Sequence, residues 1–160
     1  AQQLGHEPKM VLAGRKVNES MPAFVAGELA RLISELGGTP HSTRALVLGL
    51  TFKEDVRDTR NAQAPVLVDQ LERRGVEVWV SDPWVAPAND TGRYIKDPFA
   101  IDAMFDIVIL AIPHEEYRTA EAGRFLRLLR DPKAQAVFMD LRSVFDRTVF
   151  AEAGVTYWAL

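Results

Sequence analysis

Apolar residues at the start of the chain recur three and four positions apart: Met10, Val11, Val17, Met21, Phe24, Val25, Leu29, Leu32, Ile33 and Leu36. This spacing predicts helix over residues 9–37. Pro22 falls inside the pattern and should kink or restart the helix, and Gly37 and Gly38 should end it. From residue 44 the pattern shortens into apolar runs separated by helical stretches. The runs 45–50 ("ALVLGL"), 76–82 ("VEVWVSD"), 106–112 ("DIVILAI") and 136–140 ("AVFMD") read as strands, with a short terminal strand in "VTYWAL". Helices are expected over about 65–74, 97–104 and 119–129. Strands apolar at nearly every position and alternating with helices predict an α/β fold with a mainly parallel sheet and helices on both faces. The chain therefore divides into a helical arm, residues 1–38, and a domain, residues 39–160.

Composition narrows the function. The 160 residues are 48% hydrophobic and 26% charged, with a net charge of −3 and no cysteine. Basic residues are scattered among acids, which argues against nucleic acid as a partner. The lack of cysteine excludes disulfides, thiolate metal sites and a cysteine nucleophile within this chain. No apolar run reaches the length of a membrane span and "AQQLGHEPKM" lacks the layout of a signal peptide, so the expected setting is cytoplasmic, without a membrane partner. The first residue is not methionine, as in a piece of a longer protein.

Candidate chemistry gathers where strands end. The loop after the first strand, about Thr51 to Ala64, is longer than most strand-to-helix connections and carries Lys53, Arg57 and Arg60 among Glu54, Asp55 and Asp58. Pro65 suits the first turn of the next helix, whose free amides would face the same crevice and favour phosphate. A self-neutralising, solvated loop is the alternative. Gly49 is the one glycine in this turn, so the three-glycine dinucleotide fingerprint is missing. Asp82 stands where dinucleotide folds place a ribose-binding acid, but the proline that follows assigns it to turn capping. His114, with Glu115 and Glu116, reads as a helix-capping or rim residue, and the three histidines show no metal-ligand spacing. Arg142 follows the fourth strand and could converge with Lys53 or pair with Asp140 or Asp146.

In order, "GLTFKEDVRDTRN", "SDPWV", "VILAIPHEEY" and "MDLRSVFD" form a combination that resembles the C-terminal, UDP-sugar-binding domain of the UDP-glucose/GDP-mannose dehydrogenase family. "AGRKVNESMP" is similar to the end of the helix that joins this domain to a central dimerisation region, so the resemblance covers nearly the whole chain. It implies a Rossmann-like domain of an NAD-dependent nucleotide-sugar 6-dehydrogenase of polysaccharide biosynthesis. Such an enzyme oxidises the C6 hydroxyl of a UDP-sugar to a carboxylate in two steps. It also implies that NAD is held mainly by an N-terminal domain, that a central region supplies the cysteine nucleophile, and that the parent enzyme is a homodimer or larger. This chain alone would be inactive. Carried onto this sequence, the resemblance gives Phe52, Lys53 and Arg142 to the substrate and Arg60 to the bound NAD, with no catalytic residue and no metal site. Ala64-Pro65 departs from the Ser-Pro of many members and loses a hydroxyl cap. The wording of the motifs looks most like members acting on UDP-N-acetylhexosamines. A free-standing nucleotide-binding module and an interaction domain without ligand are the two other classes open to this sequence.

Overall fold

Strand residues that alternate between two helical layers organise the structure, a computed structural model that describes residues 9–87, 92–102, 104–130 and 136–160. Five parallel strands form one sheet: β1 (Arg44–Leu48), β2 (Glu77–Ser81), β3 (Ile107–Leu110), β4 (Val137–Asp140) and β5 (Thr156–Ala159). Their order is β2-β1-β3-β4-β5. The strand order reverses between β1 and β3, and their carboxyl ends therefore open a crevice between loops that leave in opposite directions.

Helices α1 (Lys9–Glu35) and α2 (Ala64–Glu72) cover one face, where Ala45, Val47, Ile107, Ile109, Val137 and Met139 meet Val25, Leu29, Leu67 and Leu71. Leu46, Leu48, Val108, Leu110 and Phe138 point the other way, against α3 (Glu115–Arg118), α4 (Ala122–Leu128) and α5 (Arg147–Glu152). The period-two alternation of a strand thus builds two separate cores from one sheet. On the second face Phe138 stacks on Phe150 with ring centroids 4.3 Å apart, and Phe125 meets Phe99 edge-on at 5.1 Å.

Pro22 lies within α1, which is helical throughout Lys9–Glu35. It cannot donate to the carbonyl of Asn18, so the cost of a mid-helix proline is one lost bond beside the crevice. The last turns of α1 are part of the first core, whereas Leu12 and residues 14–20 are exposed. The first eight residues of the expected arm lie outside the described residues.

Two expected helices differ. Only a 3₁₀ turn, Pro98–Ala100, stands within 97–104, capped by the Asp97 carboxylate accepting from the Phe99 amide; Ala103 lies outside the described residues. The stretch 119–129 forms the shorter α4, preceded by the single turn of α3.

Candidate functional site

The loop that leaves β1 begins at Gly49, whose φ is +91°, the left-handed region that glycine adopts without cost. A Cβ at this position would lie 2.5 Å from both the Cβ and the carbonyl oxygen of Ile112. This close approach packs the ends of β1 and β3 together. The chain then runs through Gln63 before α2 begins with Pro65 in its first turn and no side-chain cap. The uncapped end of α2 presents the positive end of its dipole to the crevice.

A cleft of about 470 Å³ opens at this edge. Phe52, Lys53 and Glu54 border it from the β1 loop, Gln63, Ala64 and Leu67 from α2, Ala111 and Ile112 from the end of β3, and Arg142 from the loop after β4. Asn18, Met21, Pro22 and Val25 of α1 supply the opposite wall. Lys53 and Arg142 therefore share one cleft, and among the described residues neither side chain has an ion-pair partner. Phe52 is 49% exposed. An exposed aromatic ring beside two free cations and an uncapped helix suits a ligand with a flat ring and anionic groups.

Arg60 is placed elsewhere. Its guanidinium pairs with Asp58 at 2.8 Å, is 87% exposed and does not border the cleft. The hydrogen bonds from the Arg60 side chain, then from its amide, hold the Asp58 carboxyl down to about 2. Part of the loop is thus self-neutralised, as the solvated reading of the sequence anticipated; Arg57 is exposed and does not border the cleft, so Lys53 is the cation of this loop that does.

Two buried aspartates fix the loops. Asp82 ends β2 and accepts from the amides of Trp84 at 2.7 Å and Val85 at 3.0 Å through Oδ1, the turn capping expected of it. Its Oδ2 accepts from the Leu50 amide at 2.6 Å and sits 3.0 Å from His114 Nε2. Burial alone would raise this carboxyl, but the bonds from His114, Leu50 and Trp84 outweigh it and hold the group below its ordinary value. Asp140 ends β4 and accepts from the Arg142 amide through Oδ1, and from Val144, Phe145 and the Tyr157 hydroxyl through Oδ2. Burial beside that carboxylate pushes the Tyr157 phenol upward, so it stays a donor. Asp140 engages Arg142 through the backbone amide, which leaves the guanidinium free.

His114 is fully buried, not on the rim. Its ring contacts Thr51, Asp55 and Asp82, three residues distant in sequence whose bonds to it the periodicity of the chain does not display. Among the described residues no group of histidine, cysteine and carboxylate side chains could hold a metal ion, and no helix is long and apolar enough to cross a membrane.

The residues present do not fit a resident dinucleotide. The open face of Gly49 is filled by Ile112, and no second glycine follows it before α2. The fold is a Rossmann-like domain, and its cleft opens beside the reversal of strand order. The model of the UDP-glucose/GDP-mannose dehydrogenase family, UDP binding domain, matches residues 46–147, and the chain belongs to this family as that domain. A UDP-N-acetyl-D-glucosamine 6-dehydrogenase of Pseudomonas aeruginosa is 32% identical over 148 residues, 91% of this chain and 34% of its own length. Among solved structures, an NDP-N-acetyl-D-galactosaminuronic acid dehydrogenase from Methanosarcina mazei Go1 shares the fold, with a TM-score of 0.81 at 24% identity over 96% of this chain and 32% of that one. A UDP-glucose dehydrogenase from Pyrobaculum islandicum gives a TM-score of 0.70 at 27% identity over 98% of this chain and 33% of that one. The chain spans about a third of the length of the curated relative it matches over those 148 residues.

Proposed function

We propose that this domain is the substrate side of an NAD-dependent nucleotide-sugar 6-dehydrogenase that converts the C6 hydroxyl of a UDP-sugar, a UDP-N-acetylhexosamine, to a carboxylate. The observation that carries the reading is the pair of cations, Lys53 and Arg142, free of ion-pair partners among the described residues and bordering one cleft with Phe52. Lys53 serves as a mobile point charge for the diphosphate, and Arg142 as a planar fork suited to an oxyanion. Phe52 offers a face for a flat ring. NAD would supply hydride acceptance from a domain outside this chain, and Arg60, exposed away from the cleft, would reach toward it once Asp58 releases it. The cysteine nucleophile would also lie outside this chain, which has none. The parent enzyme is read as a homodimer or larger, acting in the cytoplasm in polysaccharide biosynthesis.

Titration calorimetry of this chain with UDP and UDP-N-acetylhexosamines, beside an absorbance assay for NAD reduction, tests the reading. UDP should bind weakly and no NAD should be reduced. Lys53→Ala or Arg142→Ala should each weaken UDP by roughly 10- to 150-fold, as expected for loss of a charged hydrogen bond. In a complete enzyme, Lys53→Ala should act mainly on sugar-nucleotide affinity and Arg60→Ala mainly on NAD-dependent turnover. UDP affinity unchanged by both cleft substitutions would refute the site, and turnover by this chain alone would refute the division of labour.

A further inference from the structure

We infer that His114 is a positioning residue, which in its neutral Nε2–H form holds the loop carrying Phe52 and Lys53 at the mouth of the cleft. Its two ring nitrogens face opposite kinds of partner. Nδ1 lies 2.9 Å from the Asp55 amide nitrogen, which can only donate, so Nδ1 is the acceptor. The proton therefore sits on Nε2, which donates toward Asp82 Oδ2 at 3.0 Å and lies 3.2 Å from Thr51 Oγ1. The Thr51 hydroxyl in turn donates to the carbonyl of Lys53 at 2.8 Å, leaving its oxygen to accept from the ring. Nδ1 also lies 3.6 Å from Asp55 Oδ1, but that oxygen already accepts from the Glu115 amide at 2.8 Å. The shorter amide contact decides the tautomer.

Lys53 is the middle residue of the span 51–55, and both ends of that span are tied to one imidazole. A second tie runs in the reverse direction. Asp55 gives its amide to His114, and its carboxylate receives the amide of Glu115, with Arg118 Nη1 at 3.4 Å. The amide of Glu115 draws the Asp55 carboxyl below its ordinary value more than any other group. Asp55 adopts φ +57°, a backbone conformation that costs free energy in a non-glycine residue and persists where contacts impose it. His114 is itself fixed from below, being fully buried with its ring edge-on to Tyr117 at 6.0 Å. The side chain of Lys53 is exposed and has no ion-pair partner among the described residues, so the order of its backbone is what directs it to the cleft. The imidazole does not border the cleft. It acts through Thr51 and Asp55.

The clamp stands on hydrogen bonds within the chain, and only its effect on UDP rests on the proposed function. Three substitutions separate its parts. His114→Phe keeps a ring and removes both polar arms, His114→Asn retains an acceptor toward the Asp55 amide, and Thr51→Val removes the tie to Lys53 while leaving the imidazole. In the wild-type chain, long-range ¹H–¹⁵N correlation spectra should show Nδ1 unprotonated, Nε2 protonated and a coupling across the bond from the Asp55 amide. Hydrogen exchange at residues 52–55 should quicken about tenfold in His114→Phe and in Thr51→Val, with His114→Asn restoring protection at Asp55. UDP affinity should fall about tenfold in the same two variants and recover in part in His114→Asn. If His114→Phe does not fold, the other two variants decide the matter by the same readouts. A proton on Nδ1, or unchanged exchange at 52–55 in folded variants, would overturn the clamp. Absence of UDP binding by the wild-type chain would instead sink the reading of the cleft, and the exchange measurement would still judge the clamp.

Discussion

Replacing Asp140 by alanine removes a carboxylate that accepts from four donors. The Arg142 amide loses an acceptor at 3.1 Å, the Val144 amide one at 2.7 Å, the Phe145 amide one at 2.9 Å and the Tyr157 hydroxyl one at 3.0 Å. The tyrosine keeps a second bond to the Phe145 carbonyl at 3.0 Å, so the loss falls on the three amides. At about 1 to 1.5 kcal/mol for each bond, the change costs roughly 3 to 4.5 kcal/mol. For a chain of this size each kcal/mol lowers the midpoint by about 2 to 4 °C, so Tm should fall by roughly 6 to 18 °C. Calorimetry and circular dichroism measure this directly. Asp140→Asn, which keeps one acceptor oxygen, should fall between the two. Arg142→Ala removes an exposed side chain without an ion-pair partner, and its stability should stay within about 0.5 kcal/mol of wild type. A shift below about 2 °C for Asp140→Ala would refute the idea that this carboxylate holds the loop bearing Arg142.

Three other outcomes follow from named contacts. Gly49→Ala places a Cβ 2.5 Å from Ile112 at φ +91°, and urea unfolding should show a loss of about 2 to 5 kcal/mol; near-neutral behaviour would contradict the close approach. The Asp82 carboxyl is held below its unfolded value of about 3.9, so its contribution is complete above that pH and is lost as the pH falls through the lower folded value. Asp82→Asn should flatten that part of the stability curve, and parallel wild-type and variant curves from about pH 5 to about pH 2 would refute the assignment. Arg60→Ala should let the Asp58 carboxyl rise from about 2 toward the ordinary carboxylate range, which a carbon-detected NMR titration reads, and an unmoved value would show that the guanidinium does not hold it.

Buried parallel strands announce themselves, because a strand covered on both faces is apolar at nearly every position, and the runs around Leu46, Ile109 and Phe138 lead directly to β1, β3 and β4. The edge strand β2, half-buried at Glu77, Trp79 and Val80, is legible from the β-branched and aromatic residues of its short run. The order β2-β1-β3-β4-β5 was not legible, since pairing is decided between segments far apart. Helix α5 escaped the periodicity because it is short and buries only Phe150. The expected helix at 97–104 was reduced to a turn in which Pro98 is buried and Phe99 meets Phe125 of α4 edge-on. Lys53 and Arg142 could be singled out as loop cations at strand ends, and their position at one cleft follows from the parallel direction of β1 and β4. What the sequence could not display was the support beneath them. Asp140 and His114 act through hydrogen bonds to backbone amides, including one that reaches 59 residues along the chain from His114 to Asp55, and such bonds leave no pattern in residue type.

Whether UDP binds between the two loops is decided by a crystal structure of this chain with UDP. The diphosphate should lie in the cleft between Lys53 Nζ and the Arg142 guanidinium, with Phe52 against the nucleoside and Arg60 still outside. A diphosphate bound elsewhere on the domain, with Lys53 and Arg142 both untouched, would contradict it.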